Sequence, residues 1–277
     1  MSKHDWLAAP DEKIKLKHID PRDTGSLKNS KDAEKAMQPL REKLNKLQSK
    51  LFASKEHAVL FVFQGMDCSG KDGVIKNVFT EVNPQGVQTH SFKAPTAEEA
   101  SHDFLWRAHR HVPGLGYMAA FNRSYYEDVL VTRVHGSVND EMAKRNFKHI
   151  NHFESLLADN KVKVVKIFLH ISKDFQLNKL IDRIEKPHKN WKFDENDLIE
   201  RKSWDRYQEY YEDIFKHCSS EDAPWYIVPA DHRWHRDYAV LKIVVDTLEK
   251  LDLSEPEPNP SLQSLLPQLY EERDSSK

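Results

Sequence analysis

The sequence predicts an α/β protein: a parallel sheet with helices on both faces. Three observations carry that expectation. Short apolar runs rich in Val, Ile and Phe alternate with amphipathic stretches over residues 59–251, the pattern of βαβ units. The first run, residues 59–64, passes directly into Gly65-Met66-Asp67-Cys68-Ser69-Gly70-Lys71, a G-x-x-x-x-G-K turn between a strand and a helix. The alternation is broken once, over about residues 173–217, by a charged helical pair. That position lies where ligand crevices open at the carboxyl ends of strands.

The elements follow in order. Residues 1–29 are polar, with Pro10, Pro21 and Gly25, and read as an arm lying over the domain. Over residues 32–54, Met37, Leu40, Leu44, Leu47 and Leu51 form the stripe of a core-packing amphipathic helix, which Pro39 should bend or delay. The first strand, 59–64, leads through the glycine turn to a helix over 71–80. Asn83-Pro84-Gln85-Gly86 is turn chemistry, and 87–92 reads as an edge strand. Thr96-Ala97-Glu98-Glu99 is a capping box opening a helix that runs to His111 and closes at Pro113-Gly114. A third strand spans 117–121. Asn139 or Asp140 caps a helix reaching Asn160, and 162–170 is the fourth strand. Helices near 173–185 and 194–217 precede a fifth strand at 225–229 and a last helix at 236–251. Residues 253–277 are proline-rich and acidic and read as a tail. The expected organisation is one domain over 30–252: a five-stranded parallel sheet whose insertion at 173–217 forms a helical lid.

Composition excludes several classes. The formal net charge is −2, so no global field for nucleic acid exists and any polyanion site is a local patch. The two cysteines are Cys68 and Cys218. One lies inside the glycine turn, which argues against a structural disulfide and for a reducing compartment. No stretch approaches 18 consecutive apolar residues and no leader-like apolar segment opens the chain, so a cytoplasmic protein without a membrane partner is expected. His109/His111 and His149/His152 lack the partners of a zinc framework and read as surface or packing residues. Trp191, Trp204, Trp225 and Trp234 read as anchors of the insertion rather than base-stacking platforms.

Three stretches carry chemistry. In a P-loop, successive backbone N–H groups across Gly65, Cys68, Ser69, Gly70 and Gly73 turn inward on an anion, and Lys71 reaches the outer phosphates. A nucleoside-triphosphate P-loop carries Ser or Thr after the lysine, to hold Mg²⁺; this chain has Asp72, with a further acid at Asp67. Both acids also read as helix N-terminal charges interacting with the dipole. At the end of the third strand, where a Walker-B acid usually stands, the residue is Asn122. Glu127, one short turn on, can supply the missing charge, while Arg123, Arg133 and His135 can face phosphates. The third stretch is basic: Arg183, Lys186, His188, Lys189 and Lys192, then Arg201, Lys202 and Arg206. Lys202 and Arg206 are neighbours on one helix face. They line a groove for a polyanion or, interleaved with acids, form a solvated face.

Taken together, these segments resemble a family-2 polyphosphate kinase. The resemblance rests on residues 65–73, Phe92-Lys93-Ala94-Pro95-Thr96, the run Phe121-Asn122-Arg123-Ser124-Tyr125-Tyr126-Glu127-Asp128, Arg133-Val134-His135, Trp191-Lys192-Phe193, Glu200-Arg201-Lys202-Ser203-Trp204-Asp205 and the stretch 223–231. It implies a P-loop kinase core with a lid, commonly dimeric or tetrameric, moving phosphoryl groups between inorganic polyphosphate and AMP, ADP or ATP with Mg²⁺. By that matching Asp67 holds Mg²⁺, Lys71 binds the transferring phosphoryl group and Arg123 stabilises its charge. Lys76, Lys93, Arg133 and Arg183 are candidates for polyphosphate or nucleotide phosphates. Many members carry Asp where this chain has Asn122. Its form resembles the subgroup accepting AMP as well as ADP, in which Glu127 takes the acidic role and Asn122 is a weak metal ligand. Two rival readings are an ATP-dependent nucleotide kinase of the thymidylate-kinase type, which the replaced Ser/Thr disfavours, and a polyanion-binding module that has lost catalysis.

Overall fold

A computed structural model describes residues 6–10 and 12–276. Its strands are β1 (Leu7–Ala8), β2 (Ala58–Gln64), β3 (Val87–Ser91), β4 (Met118–Asn122), β5 (Val162–His170) and β6 (Trp225–Pro229). Its helices are α1 (Ser30–Ser54), α2 (Lys71–Val78), α3 (Ala97–Ala100), α4 (Trp106–His109), α5 (Val131–Val134), α6 (Asp140–Asp159), α7 (Lys173–Glu185), α8 (Asn196–Lys202), α9 (Trp204–Cys218), α10 (Arg233–Glu249) and α11 (Leu266–Ser275). The six strands form one mixed sheet in the order β1-β6-β5-β2-β4-β3.

The expected five-stranded sheet is therefore corrected to six. Five strands are parallel, and β1 joins the β6 edge antiparallel, pairing Leu7 with Tyr226 and Ala8 with Trp225. A two-residue strand carries no periodicity to detect; its register comes from backbone pairing that continues as Ile227 N–H donates to Trp6 O at 2.7 Å. Parts of the anticipated 1–29 arm, residues 1–5 and 11, lie outside the described residues. The described part ties down at Leu16, which is buried.

The central strand β2 is buried at all seven positions, as its unbroken apolar run requires between two helical layers. Phe61 meets Phe79 beside α2, and α1 and α10 pack on that side. On the other face Phe168 packs against Tyr211 and Phe215 of α9. Asn29 caps α1 through its side chain, which accepts from Lys31 and Asp32 N–H, and the helix runs through Pro39 to Ser54 without a break. The single helix expected over 96–111 is two short ones. The Asp103 carboxylate accepts from the N–H groups of Leu105 and Trp106, at 3.0 and 3.1 Å, and starts α4 afresh. Likewise the helix expected over 194–217 divides at Ser203. The last sheet-packing helix begins at Arg233, three residues earlier than expected. The 253–277 tail contains α11. No helix among the described residues is long and apolar enough to cross a membrane.

One buried polar knot fixes the loop after β4. Lys166 of β5 is fully buried and pairs with Glu154 of α6. The Tyr125 and Tyr126 hydroxyls donate to the same carboxylate at 2.8 and 2.9 Å, and Lys166 also donates to Cys218 O. A buried carboxylate with three donors is satisfied; removing its charge strands the ammonium. Glu154→Gln should lower unfolding free energy in urea by about 3–5 kcal/mol. The double change Glu154→Leu/Lys166→Met should cost much less, and equal losses in the two proteins would contradict the pairing.

Candidate functional site

A cavity of about 800 Å³ opens at the carboxyl ends of β2 and β4, between α2, α7 and the start of α10. Its near wall is the glycine turn. Gly70 has φ +91°, and a Cβ there would lie 2.0 Å from Nη1 of Arg236, so both conformation and contact require glycine. Cys68 also adopts a positive φ, of 68°. Burial pushes its thiol up to about 11, so it remains protonated at neutral pH. Ser69 is buried, and its hydroxyl has no hydrogen-bond partner in the structure.

Lys71, the first residue of α2, is buried and folds back onto the turn. Its ammonium donates to Gly65 O at 2.7 Å and Met66 O at 3.3 Å. Burial depresses its pKa first and the Arg123 guanidinium second, while Asp67, Glu127 and Asp72 oppose them. Arg123 follows β4 with φ +60°, its N–H donating to Phe63 O of the adjacent strand at 3.0 Å. This backbone bond aims the guanidinium across the turn, where Nη2 meets Asp67 at 2.7 Å and Nη1 lies 3.8 Å from Glu127. Burial opposes the charge on Arg123, but Glu127 and Asp67 outweigh it and hold the guanidinium protonated. Burial raises Glu127, with Arg123 and Lys71 pulling it back.

The sequence-derived residues divide. Asp67, Cys68, Gly70, Lys71, Asp72, Gly73, Lys93, Asn122, Arg123 and Arg183 line the cavity. Glu127, expected as a metal ligand, stands behind Arg123 rather than in the lining. Asn122 donates its amide N–H to Asp72, so its oxygen is the atom left for a cation. Arg133, expected at the phosphates, is instead buried at 3.9 Å over the Tyr210 ring and pairs with Asp140 at 2.8 Å and Asp213 at 3.1 Å. Lys76 is exposed one turn along α2 and Lys202 is exposed on α8, neither in the lining. Arg206 reaches Val134 O at 3.4 Å, also outside it.

Lys189 and Lys192, read from the sequence as groove or solvated face, line the cavity, and the structure adds groups that the sequence did not single out: Lys179 and Asp182 on α7, and Arg233 and Arg236 at the start of α10. Arg236 is buried, donates to Asp237 Oδ1 at 2.6 and 2.8 Å and touches the turn at Ser69 O. Asp237 in turn accepts from Asn77 of α2 at 2.7 Å. The available signal was the run Arg233-Trp234-His235-Arg236 straight after a strand end, where crevices form. Nine lysines and arginines against five aspartates line the cavity, so a chain of net charge −2 concentrates positive charge here. Among the described residues no group of three or more His, Cys, Asp or Glu side chains could cage a metal.

The comparisons with known proteins agree with this geometry. The family model described as Polyphosphate kinase 2 (PPK2) matches residues 27–256. The AMP/ADP-polyphosphate phosphotransferase of Meiothermus ruber is 45% identical over 262 residues, covering 94% of this chain and 98% of that protein. The ADP-polyphosphate phosphotransferase of Rhodopseudomonas palustris is 45% identical over 243 residues, covering 83% and 84%. The crystal structure of polyphosphate kinase 2 from Arthrobacter aurescens superposes with a TM-score of 0.88 at 39% identity, covering 92% of this chain and 93% of that one. With its glycine turn, its Asn122-Arg123 junction and these matches along nearly its whole length, the chain belongs to the polyphosphate kinase 2 family.

Proposed function

We propose that this protein transfers phosphoryl groups between inorganic polyphosphate and nucleotides, converting AMP to ADP and ADP to ATP, reversibly. The observation that carries this reading is the cation count of the cavity. The two or three phosphates of a nucleotide do not need nine lysines and arginines; a phosphate chain lying beside a nucleotide does. The relatives named for AMP/ADP and ADP phosphotransfer support it.

The residues divide the work. Backbone N–H groups of the turn and Lys71 hold the transferring phosphoryl group, Lys71 exchanging the carbonyls of Gly65 and Met66 for phosphate oxygens. Arg123 stabilises the charge that spreads over the equatorial oxygens during transfer. Glu127 keeps Arg123 charged and aimed. Lys179, Arg183, Lys189, Lys192, Arg233 and Arg236 carry the polyphosphate chain. An acceptor oxygen on a nucleotide phosphate is already ionised near neutral pH, so positioning and charge stabilisation are the main demands on the protein.

The donor set fits Mg²⁺. That ion takes one or two carboxylates, waters and substrate phosphates rather than an all-protein cage, and Asp67, with the Asn122 oxygen, supplies such a partial shell. Held by Asp67 and the Asn122 oxygen, Mg²⁺ would neutralise phosphate charge. The α7–α9 segment acts as the lid, since α7 already forms the cavity's outer wall.

Incubation with AMP or ADP and either polyphosphate or ATP as donor decides the substrate pair. Efficient AMP phosphorylation from ATP, with none from polyphosphate, would overturn the reading. Lys71→Met and Asp67→Asn should each lower kcat by about 10²–10³-fold with the thermal midpoint little changed. Arg236→Ala should raise the KM for polyphosphate and flatten its salt dependence, as loss of a phosphate contact does. Arg133→Ala should instead destabilise the fold, leaving that salt dependence as in the parent protein. Equal behaviour of the two arginine variants would remove Arg236 from the polyphosphate track.

A further inference from the structure

Eight of the nine cations lining the cavity have a task in the proposed reaction, and the ninth is Lys93. Lys93 follows β3, at the sheet edge beyond β4, whereas α7 and α10 follow β5 and β6 on the other side of β2. The cations given to the polyphosphate chain come from those two helices and the residues just after α7. Phosphoryl transfer is roughly in line, with the leaving and attacking oxygens on opposite sides of the moving group. With the chain on the β5–β6 side of the glycine turn, the accepting nucleotide enters on the β4–β3 side, where Lys93 stands.

Lys93 does not hold that place by its own side chain, which is exposed. Its position depends on the backbone of residues 92–96, which are irregular between β3 and α3. At one end Phe92 N–H donates to Asn122 O at 3.0 Å. At the other, Thr96 closes the capping box of α3. Between them, among the described residues, the backbone accepts one hydrogen bond: Arg107 Nη1 donates to Lys93 O at 2.8 Å. Arg107 belongs to α4 and is 5% exposed. Its Nη2 meets Asp128 Oδ2 at 3.2 Å, and its Nη1 lies 3.8 Å from Glu99 of the capping box. The guanidinium also lies 5.3 Å from the centre of the Phe92 ring. A planar fork serves Lys93 O and Asp128 from one buried position, which a lysine ammonium does not. Burial pushes the Asp128 carboxyl up, and Arg107 pulls it back by charge and hydrogen bond.

We propose that Arg107 is a positioning residue: clamped to Asp128, it holds the Lys93 backbone so that the Lys93 ammonium meets a phosphate of the accepting nucleotide. The inference rests on the functional reading above. The two ends of the clamp differ. The Asp128 end is fixed without Arg107, because Tyr125 and Tyr126 are tied to Glu154 and Thr132 Oγ1 donates to Asp128 O at 2.7 Å. The Lys93 end has only Arg107. Loss of the clamp therefore frees Lys93 and leaves Arg123 in place, so it acts on nucleotide affinity before it acts on the chemical step.

The test uses full-length protein and measures ADP binding by calorimetry, beside kcat and the KM values for ADP and polyphosphate. Arg107→Met alone strands a half-buried carboxylate and endangers folding, so Arg107→Met/Asp128→Leu, which removes both charges, is the working variant. It should weaken ADP binding about tenfold, the worth of one charge-assisted contact. The loss should fall on the KM for ADP rather than on kcat or on the KM for polyphosphate. Lys93→Ala should weaken ADP by the same factor. Because Arg107 acts through Lys93, all three changes together should still cost about tenfold, whereas independent contributions would multiply to about a hundredfold. A hundredfold combined loss, unchanged ADP binding in Arg107→Met/Asp128→Leu, an equal loss of polyphosphate affinity, or a parent protein that binds no ADP would each overturn the proposal. A parent protein that binds ADP but transfers nothing to it from polyphosphate would overturn the functional reading instead, and the binding measurements would still decide the role of Arg107.

Discussion

A phosphate site must hold concentrated positive charge when no phosphate is there, and that constraint shapes this one. Burial first, and repulsion by the Arg123 guanidinium second, depress Lys71. In a low-dielectric setting such repulsion is costly unless carboxylates are interleaved. Asp67 and Glu127 perform that service on Arg123 from two sides, and the Gly65 and Met66 carbonyls perform it on Lys71. In the proposed reaction the acids of the loop thus stand in for substrate charge. Phosphate arrival replaces one set of partners by another and does not have to pull a cation out of water. The geometry is prepared beforehand, which is where electrostatic catalysis gains its advantage.

The frame behind the charges explains why they stay in place. Arg123 has a positive φ, a strained choice for a residue with a Cβ. Its neighbours Tyr125 and Tyr126 are locked by their hydroxyls to Glu154, itself held by Lys166 across the sheet. Gly70 and Arg236 form a second lock, in which the absence of a side chain on the turn admits the guanidinium of α10. Asp237 and Asn77 extend that lock into α2. The turn is therefore bound to three separate elements, and Lys71 and Arg123 inherit their rigidity.

Four of the parallel strands, β2, β4, β5 and β6, were legible because buried parallel strands are largely apolar runs; β3, polar and largely exposed, was legible only as an edge strand after a turn, and all five fall within a residue or two of their expected bounds. The edge strand β1 was not legible: two residues have no period. The cavity's near wall was legible through the spacing of its glycines and lysine. Its far wall was not, since a basic helix face looks the same in sequence whether it meets a polyanion or water. In the structure Lys189 and Lys192 line the cavity, while Lys202 and Arg206 do not. Arg133 shows the same ambiguity in reverse. Its basic charge suggested phosphate, but the aromatic ring of Tyr210 and the carboxylates of Asp140 and Asp213 claim it.

The distribution of charge also favours the proposed polyphosphate over a lone nucleotide as the ligand of the cavity. Only Lys71 and Asp72 of the lining charges begin α2, and Asp67 and Arg123 flank them. Most of the remaining cations come from α7, the residues just after it and the start of α10. Arg236 touches the turn at Ser69 O, while Lys179, Lys189, Lys192 and Arg233 carry the positive lining on to α7, the residues after it and the start of α10. Cations placed along such a path attract every unit of a repeating anion, whereas a single nucleotide would leave the distant ones without a counter-charge. Asp182 on the same wall pairs with Lys186 and Lys189, which hold its carboxyl down to about 2, so it remains ionised as their partner. A wall of paired cations remains stable when empty and loses little by exchanging one carboxylate for one phosphate, and a chain of phosphates repeats that exchange at each step.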